Sequence, residues 1–365
     1  MKVSISREAF SVALAEAASV VAKRTPKPVL QCVLLRTVDG AVVVMATDLE
    51  TSLRIMVPQA EIEEPGDALV SADKLNSIAR ESQDEIIQLE TDERVCHVRG
   101  HDSHFQIFTQ EVSDYPPVLD LEGEVDAEVP ARELARAITC TMYAAAKEST
   151  RFAINGLLWE KRKKDLRVVA TDGRRLALAR VRLSEASAKD HQVIVPLKAM
   201  GPLLRVLGET DESVRMQLAP NQIVAQAGLA TLSSTLVEGH FPRYEDVVPR
   251  DNDKIVHLKA EELLRAIRQA ALLTTHESRG IRLSFQKGQL ELTSRAPEEG
   301  EARIVMPIEY DYEPLAIGFN PVFLMEMLRT VESETVDFDL KEANRPGVLR
   351  VGEDFTYVVM PVNLS

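Results

Sequence analysis

Residues Arg167–Val181 read RVVATDGRRLALARV, with Asp172-Gly173 between two arms rich in β-formers. Asp-Gly so flanked is the strongest short-range signal for a two-residue hairpin turn, whose two residues both take positive φ. Alone, the stretch predicts a surface hairpin and nothing more. Weaker echoes stand about one domain length away, at Ala46-Thr47-Asp48 and at Leu292-Thr293-Ser294. Thr171 lies 124 positions after Thr47 and 122 before Thr293. The chain therefore reads as three copies of one unit, with the middle hairpin specialised.

Each copy follows one order. Met1–Ser6 alternates apolar and polar residues and reads as a strand. A helix from Arg7 to about Lys23 follows, with Phe10, Leu14 and Val21 on one face, stopped by the proline-rich run Lys23–Pro28. Strands are expected at Val29–Thr37, Ala41–Thr47 and Ser52–Val57. A second pass adds strand Ala68–Ser71, helix Ala72–Arg80 and strands Ile86–Thr91, Val95–Arg99 and His104–Phe108. The second copy opens at Glu128–Pro130, and its helix carries Leu134 and Ile138, offset by 124 from Phe10 and Leu14. The third opens at Lys254–Leu258 and carries Leu263 and Ile267. Its last strand is Thr356–Pro361. The expected fold class is α+β: three tandem domains spanning 1–120, 126–250 and 254–365, each made of two βαβββ half-units. A half-unit of about 60 residues barely buries a core alone, so two must pack together with helices on one side and sheets on the other. Three such domains in a line leave an open sheet edge at each end, a template for pairing with a second copy.

Composition narrows the function. The 365 residues carry a formal charge of −14, which argues against a general nucleic-acid coat but leaves room for a local basic surface. Cys32, Cys96 and Cys140 are far apart and odd in number, which fits a reducing compartment. The apolar run Ala9–Ala22 is interrupted and too short to span a bilayer, and Met1–Phe10 has no signal-peptide core, so a cytoplasmic location with no membrane partner is expected. The helices carry Lys23, Arg24, Arg80, Arg136, Lys147, Lys198, Arg205, Arg265 and Arg268. These read either as one basic wall or as solvated faces of mixed charge, since Glu133, Glu261 and Glu262 share the same helices.

Several stretches carry a family resemblance: Arg151 with Asn155-Gly156; Ala170-Thr171-Asp172-Gly173 with Arg175-Leu176-Ala177; Glu238-Gly239 with Phe241-Pro242 and Tyr244; Ile317-Gly318-Phe319-Asn320; and Tyr357-Val358-Val359-Met360-Pro361. Together they make the whole chain resemble the bacterial DNA polymerase III beta subunit, the processivity sliding clamp. The resemblance implies a head-to-tail homodimer of three-domain chains. Its helices would line a closed ring around duplex DNA, with sheets outside. It implies contact with DNA that reads no base sequence, and partnership with the DNA polymerase III core, a clamp loader and other clamp-motif proteins. Arg24 and Lys198 match the family's DNA-contacting positions best.

By the same resemblance, partners insert a short apolar peptide into a pocket lined by Arg151, Ile154, Thr171, Gly173, Arg174, Arg175, Leu176, Pro242, Val247, Val358, Val359, Met360, Pro361 and Val362, with Asn320 and Phe323 nearby. Apolar valines and an adaptable Met suit such a groove, and glycine admits close backbone approach. The family often has His where Arg174 stands, so this rim is more cationic and is expected to favour peptides with an acidic residue. The resemblance also sets Phe105 and Ile107 against Leu272 and Leu273 at the dimer seam.

No catalytic residue, metal or cofactor is expected. The chain has no GxxxxGK, GxSxG or HExxH pattern. Cys96-His97 with His101 and His104 hints at a metal cluster, but strand alternation sends Cys96 and His97 to opposite faces. Trp159 reads as a core aromatic. The competing non-enzyme reading is a repeat scaffold that binds proteins and never encircles DNA.

Overall fold

In this computed structural model, residues 1–92, 94–147, 153–208, 210, 212–275, 280–297 and 299–363 are described. The order strand, helix, three strands occurs six times among them. The first repeat runs β1 (Lys2–Ser6), α1 (Arg7–Ala18), β2 (Cys32–Val38), β3 (Ala41–Thr47) and β4 (Thr51–Val57). After a short β5 (Glu61–Glu64) come β6 (Asp67–Ser71), α2 (Ala72–Glu81), β7 (Ile86–Thr91), β8 (Val95–Arg99) and β9 (His104–Gln110). The second repeat runs β10 (Ala127–Pro130), α3 (Ala131–Met142), β11 (Gly156–Arg162), β12 (Asp165–Thr171) and β13 (Arg175–Arg182). After β14 (Glu185–Ala186) it continues with β15 (His191–Pro196), α4 (Leu197–Gly208), β16 (Ser213–Leu218), β17 (Gln222–Ala227) and β18 (Ala230–Thr235). The third runs β19 (Lys254–Lys259), α5 (Ala260–Ala271), β20 (Ile281–Gln286), β21 (Gln289–Ala296) and β22 (Gly300–Pro307), then β23 (Leu315–Phe319), α6 (Pro321–Thr330), β24 (Thr335–Leu340), β25 (Gly347–Val351) and β26 (Phe355–Val359).

Several boundaries differ from the sequence reading, the last strand ending at Val359 rather than Pro361, and two have a clear local cause. α1 ends at Ala18, not near Lys23. Ser19 closes it: its backbone N–H and its hydroxyl both donate to the Glu16 carbonyl, the latter at 2.6 Å. That takes up the carbonyl with a bond one residue shorter than the helical one, so the ladder stops before the prolines are reached. The strand expected from Val29 begins only at Cys32, because Pro28–Gln31 forms a 3-10 turn with Pro28 at its start. Proline presets the φ of a first turn and has no N–H to give a sheet.

The residues gather into two compact units, Met1–Ala135 with Leu183–Val237, and Arg136–Arg182 with Glu238–Ser365. The first contains one sheet in the order β14-β10-β16-β17-β18-β4-β3-β2-β6-β9-β8-β7-β1-β5. Its two repeats are joined by β18 antiparallel to β4, with Leu232 opposite Leu53. The second unit contains the run β11-β12-β13-β26-β25-β24-β19 and a separate sheet β22-β21-β20-β23. Here β13 pairs antiparallel with β26, with Leu176 opposite Val358. Both joins link the last strand of a repeat's first half to the last strand of the next repeat's second half. α1 buries Phe10, Leu14 and Ala17, and α5 buries Leu263 and Ile267 at equivalent spacings.

The second unit's core holds Trp159, Phe285, Phe319, Phe338, Phe355 and Tyr357, all fully buried. Phe338 meets Phe285 edge-on at 6.0 Å and Phe319 at 5.7 Å between ring centroids. Gly347 sits under this cluster: a Cβ there would lie 2.6 Å from Phe338 Cε2 and 2.9 Å from Phe319 Cζ. Neither ring can swing away in a close-packed core. Gly347→Ala is expected to destabilise the second unit by ~1–3 kcal/mol. Calorimetry of the variant checks this; an unchanged transition would show that the rings can repack.

Candidate functional site: the Thr171–Arg175 loop and the face beside it

The loop is not the two-residue turn that Asp-Gly suggested. Thr171 pairs with Leu176, leaving four residues between them, and only Gly173 has positive φ, at 84°. Side chains close the turn. Thr171 Oγ1 accepts from Gly173 N at 3.1 Å and donates to the Arg175 carbonyl at 2.6 Å. Asp172 Oδ1 accepts from the N–H groups of Arg174 and Arg175 at 2.9 and 3.1 Å. An Asp that binds backbone two and three residues ahead holds a longer loop than a type I′ hairpin.

The echo at Thr47-Asp48 has the same construction. Thr47 Oγ1 accepts from Leu49 N at 3.0 Å, and Asp48 Oδ1 accepts from Glu50 N at 3.0 Å and Thr51 N at 2.7 Å. Leu49 stands where Gly173 stands in the next copy and has φ of 79°, a conformation that costs a side-chain-bearing residue ~1–2 kcal/mol. The third echo differs. Leu292-Thr293-Ser294 lies inside β21, with Thr293 paired to Arg303, so it is strand and not turn.

Arg175 anchors the specialised loop. Its side chain is 6% exposed. Nε donates to Asp172 Oδ2 at 3.0 Å, one terminal nitrogen pairs with the Glu326 carboxylate, and the other donates to the Tyr143 carbonyl at 2.6 Å. The guanidinium lies 4.3 Å from the Phe323 ring centroid and 5.5 Å from that of Tyr143. Burial opposes its charge, but Tyr357 and Glu326 outweigh that, and its pKa is displaced upward. Tyr357 donates to the Phe323 carbonyl at 3.0 Å, and burial raises its hydroxyl's pKa. Asn320 accepts from Val322 N at 3.0 Å and so caps α6. Asp172, Tyr143 and Glu326 were absent from the sequence-derived pocket set. Asp172 comes from the loop itself, three residues before Arg175, whereas nothing in spacing reveals Tyr143 and Glu326, which reach Arg175 from elsewhere in the chain.

The expected pocket residues sort into layers. Leu176, Val358 and Val359 are almost wholly buried at 2%, 1% and 0%, and Ile154 is buried too, so they form a floor. Gly173, Arg174, Val247 (44%) and Met360 (40%) are exposed, while Pro242, Asn320, Phe323, Pro361 and Val362 are half-buried. Thr171 and Arg175 are buried, holding the loop. The segment after β26 is fastened by Met360 N donating to Arg174 O and Val362 N to Gly318 O, both at 2.9 Å. Arg151 lies outside the described residues. Strand alternation puts Leu176, Leu178 and Arg180 of β13 on one face with Thr356 and Val358 of β26, a result the cross-strand pairs require.

The expected DNA-facing set is less uniform. Lys23, Arg24, Arg80, Lys147, Arg205, Arg265 and Arg268 are exposed, and Arg136 is half-buried. Lys198 is engaged with two carboxylates of its own unit, Asp48 at 3.3 Å and Glu50, and Arg80 bonds Glu81 at 3.1 Å. Of the expected seam residues, Phe105 is 43% and Leu272 80% exposed, and Ile107 and Leu273 are half-buried. Phe108, not in that set, is also 80% exposed. Among the described residues β22 pairs only with β21, and β9 from His104 to Phe108 pairs only with β8. These are the two strands left over from the joins described above.

His97 Nδ1 lies 3.0 Å from His104 Nε2 with the rings stacked, while Cys96 is buried and burial pushes its thiol up to about 12. Among the described residues no three His, Cys, Asp or Glu side chains converge as a metal site, and no helix is long and apolar enough to cross a membrane.

Comparison with known proteins adds the family. Residues 1–120, 128–243 and 245–363 match the family models for the N-terminal, central and C-terminal domains of the DNA polymerase III beta subunit. The chain is 36% identical to the beta sliding clamp of Pseudomonas aeruginosa and 32% identical to that of Escherichia coli, covering all of each. It superposes on the crystal structure of the Pseudomonas aeruginosa sliding clamp bound to griselimycin with a TM-score of 0.95 at 35% identity, again over both full chains.

Proposed function

The chain belongs to the DNA polymerase III beta subunit family, and from that membership we propose that it works as a head-to-tail homodimeric ring around duplex DNA. It is a sliding clamp of three clamp domains, a processivity subunit rather than an enzyme. The observation that carries this is the match of all three domains in order along one chain. We take the domains as 1–120, 126–250 and 254–365.

The ring reading is supported by the two open strands. Repeat one joins repeat two through β4 and β18, and repeat two joins repeat three through β13 and β26. Repetition of the rule would pair β22 of one protomer with β9 of the next, bringing Leu272 and Leu273 toward Phe105 and Ile107. Such a contact is head-to-tail, and two of them close a ring. Lys23, Arg24, Lys198 and the other helix cations would meet the phosphates. Their contacts are diffuse and read no bases, which permits sliding. The apolar face around Met360 and Val247 would receive peptides from the polymerase core, the loader and other partners in the cytoplasm.

The test is retention on nicked circular duplex DNA, loaded with a clamp loader and ATP. Loss on linearisation is expected. Retention on linear DNA would mean direct binding, and no retention by an intact dimer would favour the protein-binding scaffold. Arg174 adds a prediction of its own. Wild type should bind a peptide with an acidic residue about three-fold better than its neutral counterpart, in line with one exposed ion pair, and Arg174→His should lose that preference. Equal affinities in wild type would refute it.

A further inference from the structure

The face that carries Leu176 and Val358 does not end at the apolar groove. It continues along β13 through Leu178 to Arg180, and along β26 through Thr356. There it opens into a cavity of about 460 Å³ ringed by Arg162, Arg167, Arg180, Arg250 and Arg350, with Tyr244 beside them. Five guanidiniums in one cleft are unexpected in a chain of net charge −14.

The carboxylates nearby answer only some of them. Glu160 pairs with Arg162 at 2.6 Å and with Arg167 at 3.4 Å, and accepts from the Tyr244 hydroxyl at 2.7 Å. Glu245 stands 3.4 Å from Arg162, and Asp339 2.8 Å from Arg350. Arg180 and Arg250 are exposed and have no ion-pair partner among the described residues. Arg180 is moreover directly opposite Arg167 across the β12–β13 ladder. Like charges in that position repel, and the carboxylates beside Arg167 leave Arg180 itself without a partner among the described residues.

We propose that this cleft binds the acidic flank of the partner peptide whose apolar residues occupy the neighbouring groove. The proposal rests on the groove reading above. The cleft's mixed lining favours a peptide: Leu178, Val248 and Pro249 supply apolar walls between the guanidiniums, whose forks match carboxylates two bonds at a time. The reach is right. Leu176 and Arg180 are four residues apart on one strand, about 13 Å at ~3.3 Å per residue, so four extended ligand residues bridge groove and cleft. Val247 of the groove and Val248 of the cleft are consecutive, so no intervening element separates the two.

The experiment uses the full chain and fluorescein-labelled peptides. One has a leucine–phenylalanine pentapeptide core alone. Others add Asp-Glu-Asp-Glu at either end, with Asn-Gln-Asn-Gln controls. In wild type one acidic peptide should bind about tenfold tighter than its amide control. In Arg180→Gln with Arg250→Gln that ratio should fall to about one, while the bare core binds as before. Equal binding of acidic and amide peptides at both ends, or a ratio that survives the double substitution, overturns the proposal. If the bare core fails to bind, the groove reading has failed. The cleft is then tested by titrating the free acidic tetrapeptide against the arginine Nε–H NMR signals. Shifts at Arg180 and Arg250 sustain an acidic-peptide site. No shifts, or shifts caused only by tripolyphosphate, overturn it.

Discussion

Arg175→Ala is expected to cause the largest loss of stability of any single substitution at the loop. Three oxygen acceptors would lose their donor at once: Asp172, Glu326 and the Tyr143 carbonyl. The Phe323 and Tyr143 rings would face a void in place of a cation. Breaking a buried ion pair from one side costs ~3–5 kcal/mol, and the partial exposure of Asp172 and Glu326 trims that to about 3 kcal/mol. With two compact units the chain need not unfold in one step, so the readout is the calorimetric transition of the second unit, not a global free energy. Arg175→Lys should recover less than half of the loss. It restores charge but not a planar fork that serves three acceptors in different directions. A transition within one degree of wild type for Arg175→Ala would mean that the loop is held by Thr171 and Asp172 alone.

The second large effect concerns assembly. Leu272→Asp with Leu273→Asp should convert the proposed ring to monomers of 40.5 kDa by light scattering. Burying each leucine contributes ~2 kcal/mol. Two leucines at each of two symmetric seams give about 8 kcal/mol, roughly six decades in the dimer dissociation constant. The fold should survive, because Leu272 is 80% exposed in the single chain. Leu272→Asp alone, which spares half-buried Leu273, separates loss of assembly from loss of fold. Retention on circular DNA should vanish together with the dimer. An intact dimer in both variants would remove these residues from the seam.

Much of the architecture was legible because two periodicities survive in the sequence. Phe10 and Leu14 recur as Leu134 and Ile138 and again as Leu263 and Ile267, and all six are buried on helices. Alternation located most strands to within two residues. What failed was local chemistry with a competitor close by. Ser19 ended α1 before the prolines could, and Asp172 turned a two-residue turn into a longer loop. Leu49 was unreadable for another reason: side-chain bonds from Thr47 and Asp48 override its preference for negative φ. The candidate site could be written from the sequence as a list of expected residues but not as layers. Leu176, Val358 and Val359 look like any groove-lining residues, and only the packed sheet shows that they are floor. The arginine cleft was missed because its members are scattered from Arg162 to Arg350: Arg162, Arg167, Arg180 and Arg350 meet through β-sheet register, and Arg250 joins them from the segment before β19.

The placement of β26 has a consequence for how the protein is made. It lies between β13 and β25, so the strand that bears Leu176 cannot complete its ladder until Phe355–Val359 has been synthesised. From the emergence of Arg182 to that of Phe355 the nascent chain carries an open, apolar strand edge, the kind that invites wrong partners. The proposed partner-binding face therefore cannot be complete before Phe355–Val359 has been made. A chain cut short before Phe355 would be an aggregation hazard rather than a clamp of reduced affinity. If partners bind through that face as proposed, none can do so until the β26 strand has joined β13.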